Sequence, residues 1–118
     1  MEKLTDFNRW YLLSDLCYSD VPLKGKTGFV YLLRQRNSKE IFYIGGTDNL
    51  YWRLFVDHLG GFGRNANKRL HSELMDNLGV RSAEVSWHRY PNYKKSEKRL
   101  IGDYVTRYNR LPVWNSIG

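Results

Sequence analysis

Two adjacent glycines, Gly45 and Gly46, follow Tyr43 in the stretch "FYIGGTDNLYWRL" and stand just before residues suited to opening a helix, with Arg53 inside that helix. Bare backbone before a helix N-terminus lets a phosphate approach amide N–H groups, and a guanidinium one turn or more along can bind it in bidentate fashion. The same bareness would also serve tight packing behind Tyr43. Glu97 is the second chemical group. It shares a predicted helix face with Ile101, Tyr104 and Tyr108, at spacings of four, three and four residues. A carboxylate on an apolar stripe needs a partner or a role, although near a helix N-terminus it can simply complement the dipole. Arg53, beside Leu50 and Leu54, can equally lay its stem along the surface.

The elements that must position these groups are legible in the pattern of apolar residues. Phe7, Trp10, Tyr11, Leu13 and Leu16 fall at helical spacing behind Thr5 or Asp6, which predicts an N-terminal helix over residues 5–17, broken by Pro22, Gly25 and Gly28. "FVYLLRQ" and "EIFYIGG" then read as the strands of a hairpin around Arg36, Asn37 and Ser38. With a three-residue loop Gln35 faces Lys39 and Tyr31 faces Tyr43, both rings on one face; a two-residue loop would split them. Thr47 or Asp48 can cap a helix to about His58, ended by the loop "GGFGRN". Leu70, Leu74 and Leu78 mark a helix over 66–78 that stops at Gly79. "AEVSWHRY" reads as a third strand with Val85 and Trp87 inward, and residues 95–109 as a last helix burying Leu100, Ile101, Tyr104, Val105 and Tyr108. The expected fold is α+β: a small antiparallel three-stranded sheet flanked by helices, with an extra N-terminal helix. Residues 1–26 form that helical extension and 27–118 the main domain.

Composition narrows the function. The 118 residues are enough for one domain, and 42% hydrophobic with 15% aromatic residues is enough for a core. Nineteen Lys and Arg against 12 Asp and Glu leave a net charge of +7, which points to a polyanionic partner. The clusters "RQRNSK" (34–39), "GRNANKR" (63–69) and "YKKSEKR" (93–99) could supply phosphate contacts, Lys68, Arg69, Lys94 and Lys95 among them, or be ordinary solvated faces. A single cysteine, Cys17, read as a small buried apolar residue, excludes an internal disulfide or a Cys-rich zinc site and fits a reducing compartment. No apolar run approaches the roughly 18 residues of a membrane helix, and no signal-peptide core opens the chain. A soluble cytoplasmic protein is expected, in the host cytoplasm or nucleoid if phage-encoded.

Five motifs in order give the chain a family resemblance. "FVY" ends at Tyr31, residues 32–42 supply eleven intervening positions, and "YIG" stands at 43–45. Arg53 follows ten positions after Tyr43, and "SEKRLIGDYVTRYNRLPVWN" carries Glu97 and Asn115. Over residues 27–116 the sequence resembles the GIY-YIG nucleases, as a stand-alone catalytic domain. It departs in two places. Phe29 stands where the family has a glycine, with Gly28 displaced by one, and the family's histidine four positions after the arginine is Asp57 here, with His58 one later. One residue is about 100° of rotation on an α-helix. His58 is thus a candidate active-site group or a solvated helix-end residue.

The resemblance implies a metal-dependent endonuclease that hydrolyses DNA phosphodiester bonds. Glu97 would hold Mg²⁺, which takes one or two protein carboxylates and keeps several waters; Mn²⁺ could substitute. Tyr31 would act as general base toward water, Tyr43 would position the water or phosphate, and Arg53 would stabilise the pentavalent phosphate. A free phenol is a weak base at neutral pH, so a neighbour must lower the Tyr31 pKa or take its proton onward. Asn115 would hold the site together through side-chain hydrogen bonds, or else form a turn. Gly45 and Gly46 would leave room for a substrate phosphate. Double-stranded DNA is the expected partner, with specificity drawn from the N-terminal helix, the 60–65 loop, the 66–78 helix, a second protomer or another protein. The biological role would be a phage, mobile-element or repair one. Two other classes fit the same residues: a non-catalytic nucleic-acid-binding module on the same fold, and an RNA-directed nuclease.

Overall fold

The computed structural model describes residues 2–22, 28–64 and 66–116. Four antiparallel strands, β1 (Tyr11–Leu12), β2 (Gly28–Gln35), β3 (Ile41–Thr47) and β4 (Ala83–Tyr90), form one sheet in the order β1-β4-β2-β3. Three helices of more than one turn accompany it among the described residues. The first, α1 (Trp52–Leu59), is π-wound and is entered through a helical turn at Leu50 and Tyr51. The second, α2 (Ala66–Ser72), continues as π turns over Glu73–Leu78, and the third is α3 (Tyr93–Tyr108). The fold is α+β, with four strands rather than three.

Both faces of the sheet are covered because β2 is apolar at nearly every position. On one face Phe29, Tyr31, Leu33 and Val85 pack with Leu50 and Leu54 of the α1 segment and Leu70 and Leu74 of the α2 segment. On the other, Val30, Leu32, Ile44 and Tyr90 pack with Leu100 and Tyr104 of α3. Val105 and Tyr108, expected on the buried side of α3, are exposed.

The N-terminal helix expected over residues 5–17 is absent. In its place are two single 3₁₀ turns, Leu4–Asp6 and Leu13–Asp15, and the short strand β1. The reason is tertiary. β4 would otherwise present an unpaired edge, and Tyr11 and Leu12 pair with its Val85 and Glu84 while the Tyr11 ring stacks on Trp87 at 4.8 Å. Thr, Asp, Asn and the aromatics that fill the segment are weak helix formers, so pairing wins. Leu4 and Phe7 still bury, against the α3 face, and Cys17 is exposed rather than buried. Gly25 and the expected boundary at 26/27 lie outside the described residues.

The hairpin has its own correction. Gln35 donates from its amide to the Glu40 carbonyl at 2.8 Å and accepts from Lys39 N–H at 2.9 Å, so the loop has four residues, 36–39, and not three. Two residues after Glu40, Phe42 bulges out between Ile41, opposite Arg34, and Tyr43, opposite Leu33. Tyr31 therefore faces Gly45 instead of Tyr43. Each slip alone would send the two tyrosines to opposite faces. Together they cancel, and the rings remain neighbours on one face with centroids 5.9 Å apart.

Lys39 closes this loop in the left-handed region, φ 64°. Relief of that strain in Lys39→Gly, less the extra unfolded-state entropy of glycine, should raise stability by about 0.5–1 kcal/mol. Urea unfolding checks it. In the three-residue loop Lys39 would be a strand residue and the same change would lower stability by a similar amount.

Candidate functional site

Gly45 and Gly46 are consecutive on β3, so their missing side chains would have pointed to opposite faces of the sheet. A Cβ on Gly45 would lie 2.6 Å from Cζ and the hydroxyl of Tyr31. A Cβ on Gly46 would lie 2.7 Å from Oε2 of Glu97 and 3.0 Å from the Tyr93 ring. What comes close to this backbone is thus a phenol on one face and a carboxylate on the other. The close packing left open by the sequence is what the structure contains.

The hydroxyl of Tyr31, a residue 1% exposed, lies 2.6 Å from His58 Nε2. His58 reaches it through the winding of α1. A π turn closes from i to i+5 where an α turn closes from i to i+4, so five residues after Arg53 the chain returns to the site. Asp57 stays near enough for its Oδ2 to pair with Arg53 Nη1 at 3.4 Å. The helix starts from Asn49, whose Oδ1 accepts the Trp52 N–H at 3.1 Å, while the Thr47 hydroxyl accepts the Asn49 N–H. Asn49, and not Thr47 or Asp48, is the cap. His71 donates from Nδ1 to the His58 carbonyl at 2.6 Å and so ties α2 to α1.

Burial dominates the electrostatics. It holds the His58 pKa down, to about 3, with Arg53 and His71 adding to the effect, so the imidazole is neutral at ordinary pH. Its Nδ1 is buried with no hydrogen-bond partner among the described residues. Burial first, then Tyr43, pushes the Tyr31 phenol well above its usual pKa, and Arg53 pulls it back. Tyr43 is partly exposed, and its phenol is raised by burial and by Glu97. Burial raises the Glu97 carboxyl too, opposed by the Gly46 amide, Arg53 and Lys98. Tyr31, Tyr43, Arg53, His58 and Glu97 therefore form one electrostatic cluster.

Asn115 clamps the free side of edge strand β3. Its Oδ1 accepts the Ile44 N–H and its Nδ2 donates to the Ile44 carbonyl, both at 2.9 Å. The residue acts as a one-residue strand beside the glycines, held there by Trp114, which packs on bulged Phe42 with centroids 4.2 Å apart. Lys94 and Lys95 are exposed on the turn of α3 before Glu97, and Lys68 and Arg69 are exposed on α2.

Among the described residues no group of three or more His, Cys, Asp or Glu could hold a metal. Glu97 fits the more open requirement of Mg²⁺, one carboxylate with the remaining positions left to water. It is half-buried, and burial disfavours its charged form against the partial offset of Arg53 and Lys98, so a hydrated cation would add counter-charge there.

Two outcomes test this geometry. In Gly45→Ala the new methyl must displace the packed Tyr31 ring, at a cost of about 1–3 kcal/mol in urea unfolding. The second is a pH dependence. Between pH 6.5 and 3 the unfolded chain binds a proton that folded His58 refuses, so stability falls with falling pH by about 1.4 kcal/mol per unit. Glu97, whose folded pKa is raised above 4.5, acts in the opposite sense, adding stability as pH falls through its folded pKa, and it does so equally in both proteins. From pH 7 to pH 5 the protein should lose about 2 kcal/mol more than His58→Gln, measured by urea midpoints at each pH.

No protein-family model matches the chain, and neither a curated protein nor a solved structure matches it.

Proposed function

We propose that the protein is a Mg²⁺-dependent endonuclease of the GIY-YIG type acting on DNA. The observation that carries this reading is the meeting of Tyr31, Tyr43, Arg53, His58 and Glu97 around the bare backbone of Gly45 and Gly46, from four separate elements and both faces of the sheet. A structural core has no need of a half-buried carboxylate and guanidinium there, and burying them without a task is costly.

When bound at Glu97, Mg²⁺ would neutralise charge on the scissile phosphate and orient water. Arg53 is part-exposed and held by Asp57 through Nη1, so its remaining N–H groups can donate to a phosphate oxygen. Tyr43, the more exposed phenol, borders both charges and is suited to positioning the attacking water. The proton from that water passes to Tyr31 Oη as Tyr31 hands its own to His58 Nε2. Burial keeps the proton affinity of His58 low, so the proton returns through Tyr31 to solvent, while the departing oxygen takes its own proton from solvent. Neutral His58 in contact with Tyr31 supplies the onward acceptor that a buried phenol needs, and this is the role the reading gives it.

Supercoiled plasmid incubated with the protein in Mg²⁺ should be nicked, and EDTA should stop the reaction. Glu97→Gln should remove detectable cleavage without loss of fold, and Arg53→Lys should slow it by about 100-fold, the loss typical of one charge-stabilising donor. Absence of cleavage by the unaltered protein in both Mg²⁺ and Mn²⁺ would overturn the reading.

A further inference from the structure

The loop between α1 and α2 reads Gly60-Gly61-Phe62-Gly63-Arg64, and its one large apolar side chain points out of the protein: Phe62 is 80% exposed. The backbone beneath it is held. Phe62 N–H donates to the Val56 carbonyl at 3.1 Å and Gly61 N–H to the Asp57 carbonyl at 3.2 Å. Each flanking glycine is required by close packing. A Cβ on Gly60 would lie 2.7 Å from the Val56 carbonyl, one on Gly61 (φ 75°) would lie 2.7 Å from His71 Nε2, and one on Gly63 would lie 2.7 Å from Asn67 Cβ and 3.2 Å from Asp57 Cβ. The loop is thus seated on Asp57 and His71, the residues that hold Arg53 and His58, while presenting an aromatic ring to water.

Its position sets the scale. Gly63 touches Asp57, Asp57 pairs with Arg53, and Phe62 is the next residue, about 3.8 Å along the chain. One nucleotide advances about 3.4 Å along a strand. A phosphate on Arg53 would therefore bring the bases beside it within reach of the ring. Arg64 and Lys68, both exposed, follow Phe62 in the chain as cations that a phosphate backbone could meet, and no carboxylate is among residues 58–72. An apolar protein partner would call for neighbouring exposed apolar residues on this loop. The loop offers one ring among glycines and cations, the arrangement that suits a stack on a base.

We propose that Phe62 is a DNA-binding residue that stacks on, or wedges beside, a base next to the phosphate held by Arg53, and so opens the duplex locally at the cleavage site. The proposal rests on the nuclease reading for the position of the phosphate. Aromatic wedges of this kind unstack one step and bend the duplex, and they tolerate any base because every base has a stacking face.

The test uses the full chain carrying Glu97→Gln, with short duplexes in which 2-aminopurine, whose fluorescence rises on unstacking, is scanned through the sequence. Binding with Phe62 present should raise fluorescence at one or two positions. Phe62→Ala should abolish that rise and weaken binding by about tenfold, one base stack being roughly 1.4 kcal/mol, while Phe62→Tyr and Phe62→Trp should restore both. Phe62 is exposed, so none of the three should change the melting temperature. Equal affinity and an equal fluorescence rise in Phe62→Ala would overturn the proposal even if plasmid cleavage proceeds. A Phe62-dependent rise from a protein that never cleaves plasmid would uphold the stacking role and overturn the nuclease reading. Failure to bind DNA at all would overturn both.

Discussion

The structure depends on two consecutive residues of an edge strand having no side chains. Neighbouring strand residues face opposite sides of a sheet, so a site that uses groups from both sides is ordinarily divided by the sheet itself. At Gly45 and Gly46 the partition is one backbone thick. Tyr31 closes on it from the α1 face and Glu97 from the α3 face, each occupying the volume that a Cβ would need. A methyl at either position would keep the strand and push Tyr31 or Glu97 away from it.

Everything near that point serves to hold it. Glycines weaken a strand, and an edge strand lacks pairing on one side. Asn115 offsets both by bonding the Ile44 amide and carbonyl, the residue before the glycines, from a turn anchored by Trp114 on Phe42. The bulge that turns Phe42 toward Trp114 also restores the shared face of Tyr31 and Tyr43 after the four-residue hairpin loop had shifted it. One irregularity thereby anchors the C-terminal clamp and corrects the register.

The π winding of α1 solves a comparable problem. An α-helix would carry Asp57 to the position one turn after Arg53 and leave His58 about 100° away. The longer turn brings the histidine to Tyr31 and keeps the aspartate beside the arginine. It encloses a neutral imidazole whose Nδ1 has no hydrogen-bond partner among the described residues.

The sequence by itself determined the strands at 28–35, 41–47 and 83–90 and the helices over 66–78 and 93–108 to within a few residues, because alternation and 3.6-residue periodicity are local properties of side chains. It also marked Gly45, Gly46, Arg53 and Glu97 as residues out of keeping with simple core positions. Tertiary structure decided the rest. The helical spacing of Phe7, Trp10, Tyr11 and Leu13 was overruled by the open edge of β4, which no local pattern announces. The hairpin register turned on a bulge at Phe42, whose ring packs on Trp114, 72 residues further along the chain. What fills the space at the two glycines, and whether His58 faces solvent or Tyr31, depended on contacts between elements distant in the chain, and only the folded packing brings those together.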